Sequence, residues 1–277
     1  MKNIYNIFRL NIKLFTLSVA SLIFPQSRSL QVAKATIKSS LMHMFMSKKY
    51  IKSKKINYKN LFYHRSPMPS QSFFEKHYKE GYSYFKIRDV PQNVSGREIN
   101  QLDYILNSKK NFDFKTKEIL NFGAGGGGFS ILTSLLGAHV TEIDVTNFGT
   151  KCFDRNITRF YDLSDVQDKK FDLIYASHIL EHVTDISSVL QMLKKISHDN
   201  TFYYFEVPNG KLDLEKDNVF HTYYFFKEFF EKIFFQRKNR SDHFLNIVYR
   251  ERDSKIVDKE SDDLVTWTNH SLNTDFL

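Results

Sequence analysis

Five of the chain's ten glycines, Gly123, Gly125, Gly126, Gly127 and Gly128, fall within six residues of the segment NFGAGGGGFS. A backbone that free of Cβ atoms can turn tightly and pass under a bound molecule, and a helix starting there would aim unpaired N–H groups at it. The spacing fits GxGxG at Gly123, Gly125 and Gly127, and also GxGxxG at Gly123, Gly125 and Gly128, the dinucleotide fingerprint. Asp144 follows Gly123 by 21 residues, at the end of HVTEID, where a carboxylate could accept hydrogen bonds from two ribose hydroxyls. Farther along, SHILEHV carries His178, Glu181 and His182, and VFHTYYFF carries His221. Imidazoles titrate near neutral pH, so His182 and His221 are candidate bases for removing a proton. His178, Glu181 and His182 also spell H-x-x-E-H, an inverted zinc-protease pattern whose histidines would share a helix face at i, i+4. The segment follows a buried strand and no third ligand is identifiable, so no metal is expected.

The elements that must position these residues alternate along the chain. EILNF reads as a strand, the glycine loop follows, and GFSILTSLLG reads as a helix ending at Gly137. HVTEID is the next strand, a weaker helix covers about residues 148–155, ITRFYD is a short strand, and FDLIYAS is a buried strand. VTDISSVLQMLKKIS has helical amphipathicity, TFYYFEV is a strand stopped by Pro208, and TYYFFKEFFEKIFF reads as an aromatic helix of core-packing type. Strands alternating with helices imply an α/β, doubly wound and mainly parallel sheet covered on both faces.

The order of glycine loop, acid after the second strand, FDLIYASHILEHV and FYYFEVPN resembles the class I S-adenosylmethionine-dependent methyltransferases over about residues 115–235. HVTEID, SHILEHV and EVPNG resemble the small-molecule branch of that family and not the base-modifying one, which carries an NPPY-like segment after the fourth strand. The resemblance implies a Rossmann-like sheet of seven strands and S-adenosylmethionine as cofactor. It implies cofactor contacts from Asn121, Gly123, Ala124, Gly125, Gly127, Asp144, Val145, Asp162, Ser177 and His178. Asp162 would sit near the adenine, and the SHILEHV and VPN segments would form the floor and rim of the site. Asn121 departs from the family's usual Asp or Glu, exchanging a carboxylate for an amide opposite the cofactor's ammonium. His221 would precede a helix closing over the substrate, and Tyr82, Tyr84 and Arg97 fall where such enzymes build a lid, Arg97 being suited to an anionic or sugar substrate. A small-molecule methyl acceptor is the implied partner. The rival readings are a nicotinamide-dependent oxidoreductase, for which the expected Tyr-x-x-x-Lys is missing, and a non-catalytic cofactor-binding module.

Composition narrows the rest. Cys152 is the only cysteine, so intrachain disulfides and multi-cysteine zinc sites are excluded, and a cytoplasmic setting is expected. The net charge of +9 is uneven: 13 Lys or Arg and no acid precede Glu75, which leaves the remainder at −4. The body is therefore mildly acidic, which argues against specific nucleic-acid binding, while the arm could touch an anionic membrane. The expected organisation is a basic helical arm over 1–70 with HRSPMPS as linker, lid helices over 71–114, the core over 115–255 and a tail over 256–277. A chain starting near Ser70 is expected to keep its fold.

Overall fold

The computed structural model describes residues 37, 53–81, 94, 96–109, 112–146, 156–216 and 220–234, with the backbone of 264–269. The helices expected in the arm, the helix over 148–155, and Tyr82 and Tyr84 lie outside the described residues. In chain order the elements are β1 (Lys54–Tyr58), β2 (Phe62–Ser66), α1 (Gln71–Gly81), α2 (Gly96–Ser108), β3 (Glu118–Phe122), α3 (Gly128–Leu135), β4 (His139–Ile143) and β5 (Ile157–Phe160). They continue with β6 (Phe171–Ser177), α4 (Ile186–Lys195), β7 (Ser197–Pro208), α5 (Gly210–Lys216), β8 (Tyr223–Phe225), α6 (Lys227–Phe234) and β9 (Leu264–Asn269). Short 3-10 turns stand at Leu163–Val166 and Leu180–His182.

The main sheet has the order β5-β4-β3-β6-β7-β9, five parallel strands with β9 antiparallel at the edge. Among the described residues it has six strands where the resemblance implies seven, and the sixth comes from the segment read as a tail. Central strands read as continuous apolar runs because both of their faces are covered. Alternation divides the core along β7: Phe202 and Tyr204 pack with Ile105 of α2 and Phe129 of α3, whereas Tyr203, Phe205 and Val207 pack with Leu190 of α4 and Phe229 of α6. Helices thus lie on both faces, as expected for a doubly wound sheet.

Local chemistry sets the helix ends that matter for the site. Gly127, at φ 75°, leads into α3 with no side-chain cap, leaving the helix's first N–H groups beside the glycine loop. Asp185 caps α4 by accepting from Ser188 N, and Lys194 and Lys195 lie in the last turn; such a cap contributes about 1 kcal/mol.

Two sequence expectations are corrected here. Where the end of a helical arm and the start of its HRSPMPS linker were expected, β1 and β2 form a hairpin that joins β8 in a separate antiparallel sheet of order β1-β2-β8. Leu61 and Phe62 of that hairpin are buried in the main core with Phe225 and Phe229. TYYFF, read as helix, is instead β8, because Tyr223, Tyr224 and Phe225 pair in register with His64, Tyr63 and Phe62. An aromatic run suits either element, and the partner strand decides it. Among the described residues no helix is long and apolar enough to cross a membrane.

Candidate active site

The glycine loop joins β3 to α3 at the carboxyl ends of the parallel strands, the side on which open α/β sheets bind ligands. Gly123, Gly125 and Gly127 have φ of 75°, 49° and 75°, a region closed to most side chains. At Gly123 a Cβ would also lie 2.6 Å from the Cβ of Ile179, so the loop needs glycine for room as well as for conformation. Asp144, just past β4, braces the loop: its Oδ2 accepts from Gly125 N at 2.7 Å, and its Oδ1 accepts from Thr146 N at 2.8 Å and Thr146 Oγ1 at 2.6 Å. Arg159 Nη2 stands 3.7 Å from the same carboxylate. The following Val145 is half-buried.

Asn121, on β3 and 2% exposed, donates from Nδ2 to Ser130 Oγ at 2.9 Å, while its Oδ1 is buried with no hydrogen-bond partner. The acid that approaches the loop from elsewhere is Glu98 of α2, whose carboxylate lies 3.0 Å from where a Cβ on Gly128 would stand. Asp162, two residues beyond β5, caps the turn at Leu163–Val166 and accepts from Ser164 N and Oγ through Oδ1.

A second cluster gathers on Glu206 at the end of β7. Its Oε1 accepts from Arg97 at 2.7 Å, Gln101 at 2.6 Å and Ser177 at 2.9 Å, and its Oε2 accepts from Tyr204 at 2.9 Å. Burial pushes the Glu206 carboxyl up, but Arg97 and His178, with the donated hydrogen bonds, more than offset this and hold it below the ordinary value. Arg97 therefore pairs with a buried carboxylate, although its side chain stays 47% exposed. Sequence reading singled out Arg97 and Ser177 but missed Glu206 and Gln101, because the contacts span from 29 to 109 residues.

The third cluster is built on the turn after β6. His178 has φ 53° and donates its backbone N–H to Glu206 O at 2.9 Å. Its ring bridges the clusters, with Nδ1 3.1 Å from Glu181 Oε1 and Nε2 3.8 Å from Glu206 Oε1. The expected helix face for His178 and His182 does not form, since Leu180–His182 is a single 3-10 turn. Thr222 fixes that turn, donating its N–H to Glu181 O at 2.7 Å and its hydroxyl toward the Glu181 and Val183 carbonyls. His221 therefore arrives beside His182, with ring centroids 4.8 Å apart and planes 77° apart. Nδ1 of His182 meets Phe220 O at 3.1 Å, and Nδ1 of His221 meets Asp213 Oδ2 at 2.6 Å. Burial pulls His182 down to about 4, opposed by Glu181, so its imidazole is neutral at pH 7. Burial pushes Glu181 up, but His178 and His182 outweigh it and hold the carboxyl at about 2.

A family model described as a methyltransferase domain matches residues 97–241. The chain is 31% identical over 127 residues to a ubiquinone biosynthesis O-methyltransferase of Actinobacillus pleuropneumoniae serotype 7 (strain AP76), covering 40% of this chain and 53% of that protein. The chain thus spans about half the length of this curated relative. Among solved structures it is similar to magnesium protoporphyrin IX methyltransferase from Synechocystis PCC 6803 with bound SAH, at 14% identity and TM-score 0.42, covering 53% of this chain and 78% of that one. It is also similar to an S-adenosylmethionine dependent methyltransferase from Mesorhizobium loti, at 20% identity and TM-score 0.34, covering 43% and 57%.

Proposed function

Because the chain belongs to the methyltransferase-domain family, we propose that it moves a methyl group from S-adenosylmethionine to an oxygen of a small-molecule acceptor. The observation that carries the reading is the bond from Gly125 N–H to the Asp144 carboxylate, which joins the glycine loop and the acid after the second strand at the carboxyl end of the sheet. The residues there fit the cofactor. Asn121 Oδ1 is a buried acceptor without a partner, suited to an ammonium donor, and Asp144 Oδ2, which accepts from Gly125 N, keeps a second lone pair for a ribose hydroxyl. The glycine loop lets the backbone approach without side-chain obstruction. When bound, the cofactor supplies an electrophilic methyl group on a sulfonium. The chain's own part is to align the acceptor, exclude water and receive a proton.

His221 suits that last task, since Asp213 holds its Nδ1 and steadies an imidazolium if one forms. His182, Tyr78 and Ile179 supply the wall beside it, with the Tyr78 and His182 rings 5.9 Å apart. An oxygen acceptor is supported by the name of the curated relative and by the adjacent imidazoles of His182 and His221, a residue type suited to taking a hydroxyl proton. The test is to incubate the full chain with methyl-labelled S-adenosylmethionine and a size-fractionated metabolite extract. Label in a low-mass product that is lost in an Asp144→Ala control is the expected result. Label appearing only in protein or nucleic acid would overturn the small-molecule reading.

A further inference from the structure

Glu181 is 1% exposed, and neither of its carboxylate oxygens has a hydrogen-bond partner. A buried anion without donors is costly unless a counter-charge meets it. The groups of opposite charge type within reach are imidazoles: His178 Nδ1 lies 3.1 Å from Glu181 Oε1 and His182 Nε2 lies 3.8 Å from it. Three groups from two separate segments converge here: Glu181, His182 and His221 each present a ligand atom within 4.8 Å of the others.

We propose that Glu181, His182 and His221 hold a divalent transition-metal ion of the zinc class, beside the glycine loop. Two imidazoles and one carboxylate form the ligand count of an open site, which leaves a position for an oxygen ligand such as an acceptor hydroxyl. The mixed N/O set favours zinc, cobalt or iron(II) over magnesium and calcium, which prefer oxygen ligands. Neighbouring acceptors already orient the rings. The Phe220 carbonyl engages Nδ1 of His182 and the Asp213 carboxylate engages Nδ1 of His221, a pairing that metal-bound histidines commonly show. Tetrahedral ligands at about 2.1 Å from zinc lie roughly 3.4 Å apart, so side-chain rotation of about an ångström would close the set. His178, with Nδ1 3.1 Å from Glu181 Oε1, stands next to the cluster. The candidate third ligand that sequence reading did not identify is His221, 39 residues after His182, brought beside the cluster by the bond of Thr222 to the Glu181 turn.

The site rests on the methyl-transfer reading only in placing an acceptor beside the cluster, and it changes His221 from proton acceptor to ligand. Its test needs no turnover. The untagged full chain, stripped with chelator and dialysed against zinc, is assayed for metal content, with cobalt(II) absorption reporting the geometry. S-adenosylmethionine binding is measured separately by calorimetry, so that failure of one reading is not mistaken for failure of the other. The expected result is one tightly held zinc per chain and a tetrahedral cobalt spectrum. Glu181→Gln and His221→Ala should abolish both, and Asp213→Asn should weaken zinc by about 10- to 100-fold. A folded wild-type chain that holds no zinc after dialysis would overturn the proposal, whatever the variants do. Retention of zinc by a Glu181→Gln variant with an unchanged circular dichroism spectrum would do the same.

Discussion

Glu206 and Asn121 show how a single residue can alter the balance around the cleft. Glu206 is 5% exposed and accepts from four side chains, so its ionised form is stabilised in the folded protein. Because its folded pKa is depressed, this stabilisation is complete above the ordinary value of 4.5 and is lost as pH falls through the folded value. Glu206→Gln should therefore cost about 1–3 kcal/mol at pH 7, and the gap from wild type should narrow as unfolding is measured below pH 4.5. A gap independent of pH would mean that shape, not charge, is at stake. Asn121→Asp tests the unpartnered Oδ1: a carboxylate there should tighten S-adenosylmethionine binding by a few fold in calorimetry, because charge would then meet the ammonium. Weaker binding would show that Glu98 already supplies that charge and that a second anion repels it.

At the scale of elements, the β1-β2 hairpin is the part that sequence periodicity conceals. Phe62 packs its ring on Phe225 and Phe229 at centroid distances of 5.9 Å and 5.5 Å, and Arg65, 1% exposed, donates Nε–H to His221 O at 2.8 Å. The hairpin thus reaches both the core and the backbone of the third cluster. Phe62→Ala should lower stability by about 3–5 kcal/mol in urea unfolding. A chain starting near Ser70 should likewise be much less stable than full length, contrary to the sequence expectation, because it loses Leu61, Phe62 and Arg65 together. Equal unfolding midpoints for the two chains would show the hairpin to be an accessory. Its two strands, KKINY and FYHRS, are short and largely polar, so nothing local marks them; the partner that orders them, β8, lies about 160 residues away. The same distance explains why β8 itself reads as helix.

Across the whole molecule, legibility follows the range of the interactions. The glycine loop, Asp144 and the order of β3, β4, β6 and β7 are local patterns whose periodicity and punctuation identify them, and the parallel sheet follows from their alternation. The three polar clusters are not local. Arg97 meets Glu206 and Glu181 meets His221 only because the strand ends of one sheet bring distant loops to one edge. Asp162, like the glycine loop, is a local case: its place after β5 is read from the sequence, and its carboxylate caps its own turn.

The central claim, that this edge binds S-adenosylmethionine through the loop braced by Asp144, is tested most directly by calorimetric titration. S-adenosylmethionine and NAD are each titrated into the full-length wild type and into Asp144→Ala. The account predicts saturable binding of S-adenosylmethionine, much weaker binding of NAD, and a loss of about 1.5–3 kcal/mol for S-adenosylmethionine in the variant, since charge-assisted hydrogen bonds and the Gly125 brace disappear together. Tighter binding of NAD than of S-adenosylmethionine, or an affinity for S-adenosylmethionine unchanged by Asp144→Ala, would contradict it.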